Sequence, residues 1–475
     1  MSSSSTSTLT VHSQDNNTTQ QDTIKTPNPT FQPVGRTLSS SENASTPPNQ
    51  DQNVTIEQML QDDSEPLDGV RAAVAKESWR NPHINIFRLA AVNLAFFNLG
   101  LHDAAFGPLI PSLESYYNLN YTTVSLVFLA AFPGYMLAAF TSDRIHLKFG
   151  QRGLAGLASF LRLCTYIALA CHPPWPVILV LLIFCGWGNG LLDASWNAWA
   201  GDLNSPNEVL GVIHSLYGLG AAVAPLIASA MVDRYGLPWH DYYFIPLGLT
   251  CLELGTGVAA FWKEDGESFR RKSANSRSEG GRTRAALKMR ITWTIAIFLL
   301  FYVGAEVALS GWIVTFMQRV RNAPAFDSSL TSTGFWLGVT VGRIVLGVVT
   351  PRIGERWAIV GYLLTAMGLE LVFWLVPQFV VSAVAVALLG FFLGPMFPAA
   401  VVVLSKVLPK HLHVGAISFT AALGMGGAAV LPFAVGAIAS AAGVRVLQPI
   451  ILAILAINLA MWLTLPRVPK DKRSE

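Results

Sequence analysis

An apolar run that begins at Val177 carries no charge until Asp193, where it reads Gly186-Trp-Gly-Asn-Gly-Leu-Leu-Asp193-Ala-Ser-Trp-Asn197. Asn189, Asp193 and Asn197 follow at i, i+4 and i+8, so a helix places all three on one face with Trp196 beside them. Hydrocarbon solvates no charge, so such a carboxylate must face a bundle interior or a wet cavity. Burial favours the neutral form of a carboxylate, which suits it to exchanging protons near neutral pH. Asp193 is therefore the first candidate for proton handling, the alternative being a structural partner for Arg162.

Glu306 sits in another apolar run and is followed by Gly311-Trp312. An acceptor for hydroxyls beside an aromatic face for ring C–H groups is what a sugar site needs. His214 shares a helix face with Tyr217 and Gly218, and histidine titrates in the working range. Asn98 and His102 share a face that Asp103, about 100° from His102 on an ideal helix, shares only in part. Pro108 and Pro111 are expected to bend the end of that helix. Of the remaining charges within apolar runs, Arg343 is expected to snorkel or pair in a gate, and Glu253 and Glu370 to be structural. Among the tryptophans, only Trp196 gains from its neighbours as a stacking surface. No P-loop, zinc spacing or nucleophile elbow appears, so neither an enzyme nor a metal or cofactor site is expected.

The elements that must carry these residues follow from composition. Of 475 residues, 52% are apolar and only 13% charged, about half the charged share of a soluble chain. A net charge of +3 does not argue for nucleic acid. Four scattered cysteines exclude a disulfide framework. Residues 1–84, rich in Ser, Thr, Asn, Gln and Pro, read as a disordered tail. Twelve apolar runs follow, six in 85–262 and six in 291–466, separated by a charged linker at 263–290 and ending in a short tail at 467–475. The fold class is an all-α polytopic membrane protein. With twelve spans both termini share a side, and 24 of the 32 Lys and Arg lie on that side against 4 on the other. That bias predicts cytoplasmic termini. Asn120-Tyr-Thr122, on the opposite side, is the glycosylation candidate.

Short motifs recur six spans apart: Gly220-Ala-Ala-Val-Ala-Pro225 with Gly427-Ala-Ala-Val-Leu-Pro432, Phe149-Gly-Gln-Arg152 with Ile353-Gly-Glu-Arg356, and Gly186-Trp-Gly-Asn-Gly190 with Gly390-Phe-Phe-Leu-Gly394. Together they predict two pseudo-repeated six-helix halves. Over residues 85–467 the chain resembles the major facilitator superfamily. Ser142-Asp-Arg-Ile-His-Leu-Lys-Phe-Gly-Gln-Arg152 looks like a stretched form of its signature between spans two and three, with Phe140-Thr141 where the usual Gly stands. A closer resemblance, to the fucose–proton symporter group and its fungal relatives, is carried by Asn98-Leu-Gly-Leu-His-Asp103, Gly190-Leu-Leu-Asp193-Ala-Ser-Trp-Asn197, His214-Ser-Leu-Tyr-Gly-Leu-Gly220 and Tyr302-Val-Gly-Ala-Glu306.

The resemblance implies a proton-coupled transporter of a small, sugar-like solute that works by alternating access, with spans one, four, seven and ten lining the path. Asp103 and Asp193 would then couple protons with His214. Glu306, Asn197, Asn189, Trp196, Trp312, Asn98 and His102 would contact solute, and Asp143, Arg144, Arg152 and Arg343 would gate. The expected partners are the solute, protons and lipid, with no nucleic acid and no cofactor, and a monomer is expected. The expected location is the plasma membrane, with a vacuolar or other internal membrane as the alternative. An efflux antiporter and a non-transporting nutrient sensor are the rival readings.

Overall fold

The computed structural model describes residues 77–273, 285–409 and 412–465, and these residues form helices and turns without a strand. The expected tail as far as residue 76, the middle of the linker and the tail beyond 465 lie outside the described residues. Eleven helical stretches are long and apolar enough to cross a membrane. One of them, Tyr121–Ala170, has 50 residues. That is about 75 Å of helix, against a hydrocarbon core of about 30 Å. It is two spans, divided where Gly150 leaves helical geometry at φ 68°, ψ −168°. The described residues thus supply the twelve expected spans. No flexible loop separates the second and third, because Ser142–Phe149 contains neither Gly nor Pro to stop the helix.

The first span is Ile84–Tyr117, the fourth Trp175–Gly201, the fifth Pro206–Ser229 and the sixth Phe244–Ala260. A short linker helix, Gly266–Ser273, follows. The seventh to ninth are Arg290–Arg321, Ala325–Ile353 and Glu355–Leu375. The tenth is broken into Phe379–Leu393 and Met396–Val407, where Pro395 has no N–H to give the helix. His413–Ala442 and Leu447–Leu463 complete the bundle. Pro108 and Pro111, expected to bend the end of the first span, lie inside a helix that runs on to Tyr117. We call the side where the chain enters at Ile84 and where the linker helix lies the base, and the opposite side the far side.

The paired motifs occupy matching places. A Cβ on Gly220 of the fifth span would collide with the Phe97 carbonyl of the first, and one on Gly427 of the eleventh with the Leu300 carbonyl of the seventh. Likewise Gly186 of the fourth span abuts Ala131 of the second, and Gly390 of the tenth abuts Phe335 of the eighth. Small residues at these points let helix backbones touch, which is how helices associate where lipid removes the hydrophobic drive.

At the base, Gly150 and Gly354 both take positive φ, 68° and 94°. Arg152 Nη1 then donates to Trp262 O at 3.2 Å, beyond the end of the sixth span. Arg356 donates to Leu463 O at 3.1 Å and Leu465 O at 3.0 Å, at the end of the twelfth. Each half thus has one arginine on the unpaired carbonyls that finish its last helix.

Candidate functional site

The fourth and fifth spans bring three expected residues together. Asn197 Nδ2 donates to Asp193 Oδ1 at 2.8 Å and to Asp193 O at 2.9 Å. Its Oδ1 lies 3.1 Å from His214 Nε2, so it accepts when that nitrogen carries the proton. The i, i+4 spacing that put Asp193 and Asn197 on one face makes this bond. Asn189 lies one turn deeper and buried, its Oδ1 without a partner among the described residues.

One turn beyond His214 on the fifth span, Tyr217 donates its hydroxyl to Asp103 Oδ2 at 3.1 Å. The same ring meets Trp336 of the eighth span edge-on, with centroids 6.0 Å apart. Trp336 Nε1 donates to Ser310 Oγ at 2.8 Å. One turn before Ser310, Glu306 accepts from Arg343 Nη2 at 3.1 Å. Asp103, Asp193, Asn197, His214, Tyr217 and Arg343 are each half-buried, whereas Glu306 is buried. Together they form a polar seam that crosses from one half to the other. Tyr217, noted in the sequence only as a neighbour of His214, is the residue that joins the two sides.

Asp103 and Glu306 hold corresponding places. Asp103 lies six residues after Phe97, and Glu306 six after Leu300, the two residues on which the paired glycines rest. Asp103 is bonded by a neutral phenol and Glu306 by a guanidinium, so the half-to-half symmetry of the frame is broken at the chemistry.

Other expected contacts point elsewhere. Asn98 Nδ2 donates to Thr250 Oγ1 at 2.8 Å and to Glu253 Oε2 at 3.2 Å, inside the N-terminal half. His102 packs against Phe106 and Tyr166, with Nε2 3.5 Å from Cys185 Sγ. Trp196 is buried against Phe261 at 4.6 Å. Trp312 donates to Pro432 O at 2.9 Å and meets Tyr121 and Phe128, closing the halves together on the far side. Arg162, the alternative partner for Asp193, instead grips Glu253 with contacts of 2.8 and 2.9 Å. Glu253, one of the two acids expected to be structural, is therefore the one that holds Arg162, and Asp193 has no cation partner among the described residues.

Of the expected gating residues, Asp143 and Arg144 are exposed at the base. The segment that carries them is bound to its own half: His146 stacks on Phe269 of the linker helix at 3.7 Å, and Arg270 donates to Leu147 O at 2.7 Å. Arg152 caps the sixth span, and Arg343 pairs with Glu306 in the seam. Asn120 is exposed on the far side, where its Oδ1 accepts from Thr123 N at 2.8 Å as a helix cap.

Between described residues of the two halves, hydrogen bonds, ion pairs and ring contacts lie at mid-depth or on the far side. These are Ser125–Phe433, Glu114–Arg319, Tyr121–Trp312, Phe128–Trp312, Tyr217–Trp336 and the Arg234 guanidinium over Phe326.

Comparison with known proteins agrees with this architecture. The chain is 30% identical over 417 residues to Bypass of stop codon protein 6 of Saccharomyces cerevisiae, covering 81% of this chain and 83% of that one. It is 23% identical over 351 residues to the Glucose/mannose transporter GlcP of Bacillus subtilis, covering 72% and 85%. The crystal structure of the Escherichia coli fucose:proton symporter superposes with a TM-score of 0.56 at 17% identity, covering 79% of this chain and 97% of that one. The model of the Major Facilitator Superfamily matches residues 92–377 and 317–475, and the chain belongs to that family of transporters.

Proposed function

We propose that this protein is a proton-coupled transporter of a sugar or sugar-like solute. One observation carries the reading: among the described residues, the two acids of the N-terminal seam, Asp103 and Asp193, are bonded by neutral donors only, Tyr217 and Asn197. An acid held by a phenol or an amide can take up a proton without breaking an ion pair, whereas Glu306 is already neutralised by Arg343. The similarity to a glucose/mannose transporter supports the solute class. So do the donors and acceptors of Glu306, Arg343 and Asn197 beside the rings of Tyr217 and Trp336.

In the proposed cycle the base is the cytoplasmic face, and the arrangement described above is the state that opens to it. Protonation of Asp103 weakens the charge-assisted bond from Tyr217, and Tyr217 stands where the fifth and eighth spans meet. Neutralisation thereby shifts the preference between the two access states, and a proton that bound both states equally would couple nothing. Asn197 holds Asp193 and His214 in one chain, so a proton on either is felt by the other.

The test is transport by reconstituted protein. Asp193→Asn is expected to abolish uptake driven by a pH gradient while solute counterflow survives. Undiminished concentrative uptake by this variant would remove the role assigned to Asp193.

A further inference from the structure

Of the buried acids in the C-terminal half that the seam does not use, Glu355 is paired with Lys406 and Glu370 is not paired among the described residues. We propose that Glu370 and Gln448 form a second cation site, between the ninth and twelfth spans, which takes a small monovalent cation, either a proton or a sodium ion.

Both residues are 0% exposed. All four of their side-chain oxygen and nitrogen atoms are without a hydrogen-bond partner among the described residues. Their heights agree. Trp462 Nε1 donates to Arg356 O at 3.1 Å, which sets the register of the two antiparallel helices at the base. Glu370 lies fourteen residues after Arg356, and Gln448 fourteen before Trp462. Both are therefore about 21 Å further up, and fourteen residues fall about 40° short of four full turns. Each thus stays on the stripe by which its helix faces the other.

Among the described residues, no cation of a neighbouring span is directed to Glu370. The twelfth span and the first part of the tenth carry no charged residue. Arg321 of the seventh donates Nη2 to Phe373 O at 2.6 Å and Trp374 O at 2.9 Å. Arg343 of the eighth holds Glu306, and Arg356 caps the twelfth span. Lys406 holds Glu355 at 2.7 Å, and the Tyr362 hydroxyl lies 3.3 Å from Thr350 Oγ1. Arg445, just before the twelfth span, is exposed.

A buried carboxylate without a counter-charge is too costly to persist, so it is neutralised. Two carboxylate oxygens and an amide oxygen are hard donors suited to a sodium ion. A proton meets the same need by leaving the carboxyl neutral, and its O–H could then donate to Gln448 Oε1 after a change of rotamer. Either ligand would tie the ninth span to the twelfth.

The full-length protein in lipid nanodiscs tests this by thermal unfolding in two series. One replaces choline with sodium at constant ionic strength, and the other runs from pH 5.5 to 8.5. A sodium ligand raises the midpoint of the wild type as sodium rises. A proton ligand gives stability that is present at low pH and lost as pH rises. Glu370→Gln needs no counter-charge and is expected to be flat in whichever series moves the wild type. Gln448→Leu keeps the carboxylate and is expected to shift the wild-type midpoint about tenfold in sodium, or about one pH unit. Wild type and Glu370→Gln tracking each other in both series would overturn the proposal. If Glu370→Gln does not fold, an unshifted Gln448→Leu would overturn it alone.

Discussion

Between the third and sixth spans the N-terminal half buries Glu253 and surrounds it with Arg162, Ser159 and Asn98. On the ninth and twelfth spans the C-terminal half buries Glu370 and Gln448 and gives neither a partner among the described residues. In the central seam the order is reversed. There the N-terminal acids meet neutral donors, and the C-terminal acid meets an arginine. A duplicated frame therefore carries one paired and one cation-free kind of acid in each half, at exchanged positions. A paired acid fixes helices together, whereas a cation-free acid responds to the ions around it.

Several substitutions would break or sharpen that contrast. The largest expected effect is Arg162→Met, which leaves Glu253 charged and buried and should cost about 3–5 kcal/mol of stability, read by denaturant or thermal unfolding. The double variant Arg162→Met/Glu253→Leu should recover most of that loss. Equal losses from Arg162→Met and Glu370→Leu would erase the distinction between the two supporting layers. Next, Glu306→Gln strands Arg343 and is expected to abolish solute counterflow, the activity that Asp193→Asn is expected to retain. Loss of counterflow in both would merge the roles assigned to the two halves.

Tyr217→Phe removes one hydrogen bond, an effect of about 1 kcal/mol, or roughly fivefold. It is expected to move the pH profile of uptake while leaving counterflow in place, since the ring still meets Trp336. An unmoved profile would separate Tyr217 from proton coupling. The smallest effects belong to the matched base arginines. Arg152→Ala and Arg356→Ala should each lower stability by about 0.3–1 kcal/mol, and by similar amounts.

The span count and the repeated motifs were legible in the sequence, because hydropathy and glycine spacing are local signals. The Asp193–Asn197 bond was legible for the same reason, being one helical turn long. Partners across spans were not. Arg162 and Glu253 are 91 residues apart, and nothing in either helix names the other. Trp196 illustrates a second limit. In a helix that is apolar all round, spacing shows which residues share a face but not which neighbour that face meets, and Phe261 rather than the central gap lies opposite. The charges of Ser142–Phe149 mark the membrane edge, but charge does not stop a helix, and the helix runs on through them.

The far-side closure has a consequence for speed. Trp312 gives its indole N–H to Pro432 within its own half and offers Tyr121 and Phe128 of the other half ring surface. A ring contact of this kind is worth about 0.5–1.5 kcal/mol and tolerates small shifts in angle. Parting it uncovers no unsatisfied donor, since the indole keeps its bond whether the faces touch or not. That ring contact thus behaves as a gasket, not a bolt: it excludes water by fit and can part and reseat without a deep energetic trap, whereas the Glu114–Arg319 ion pair and the Ser125–Phe433 hydrogen bond near it must break and re-form.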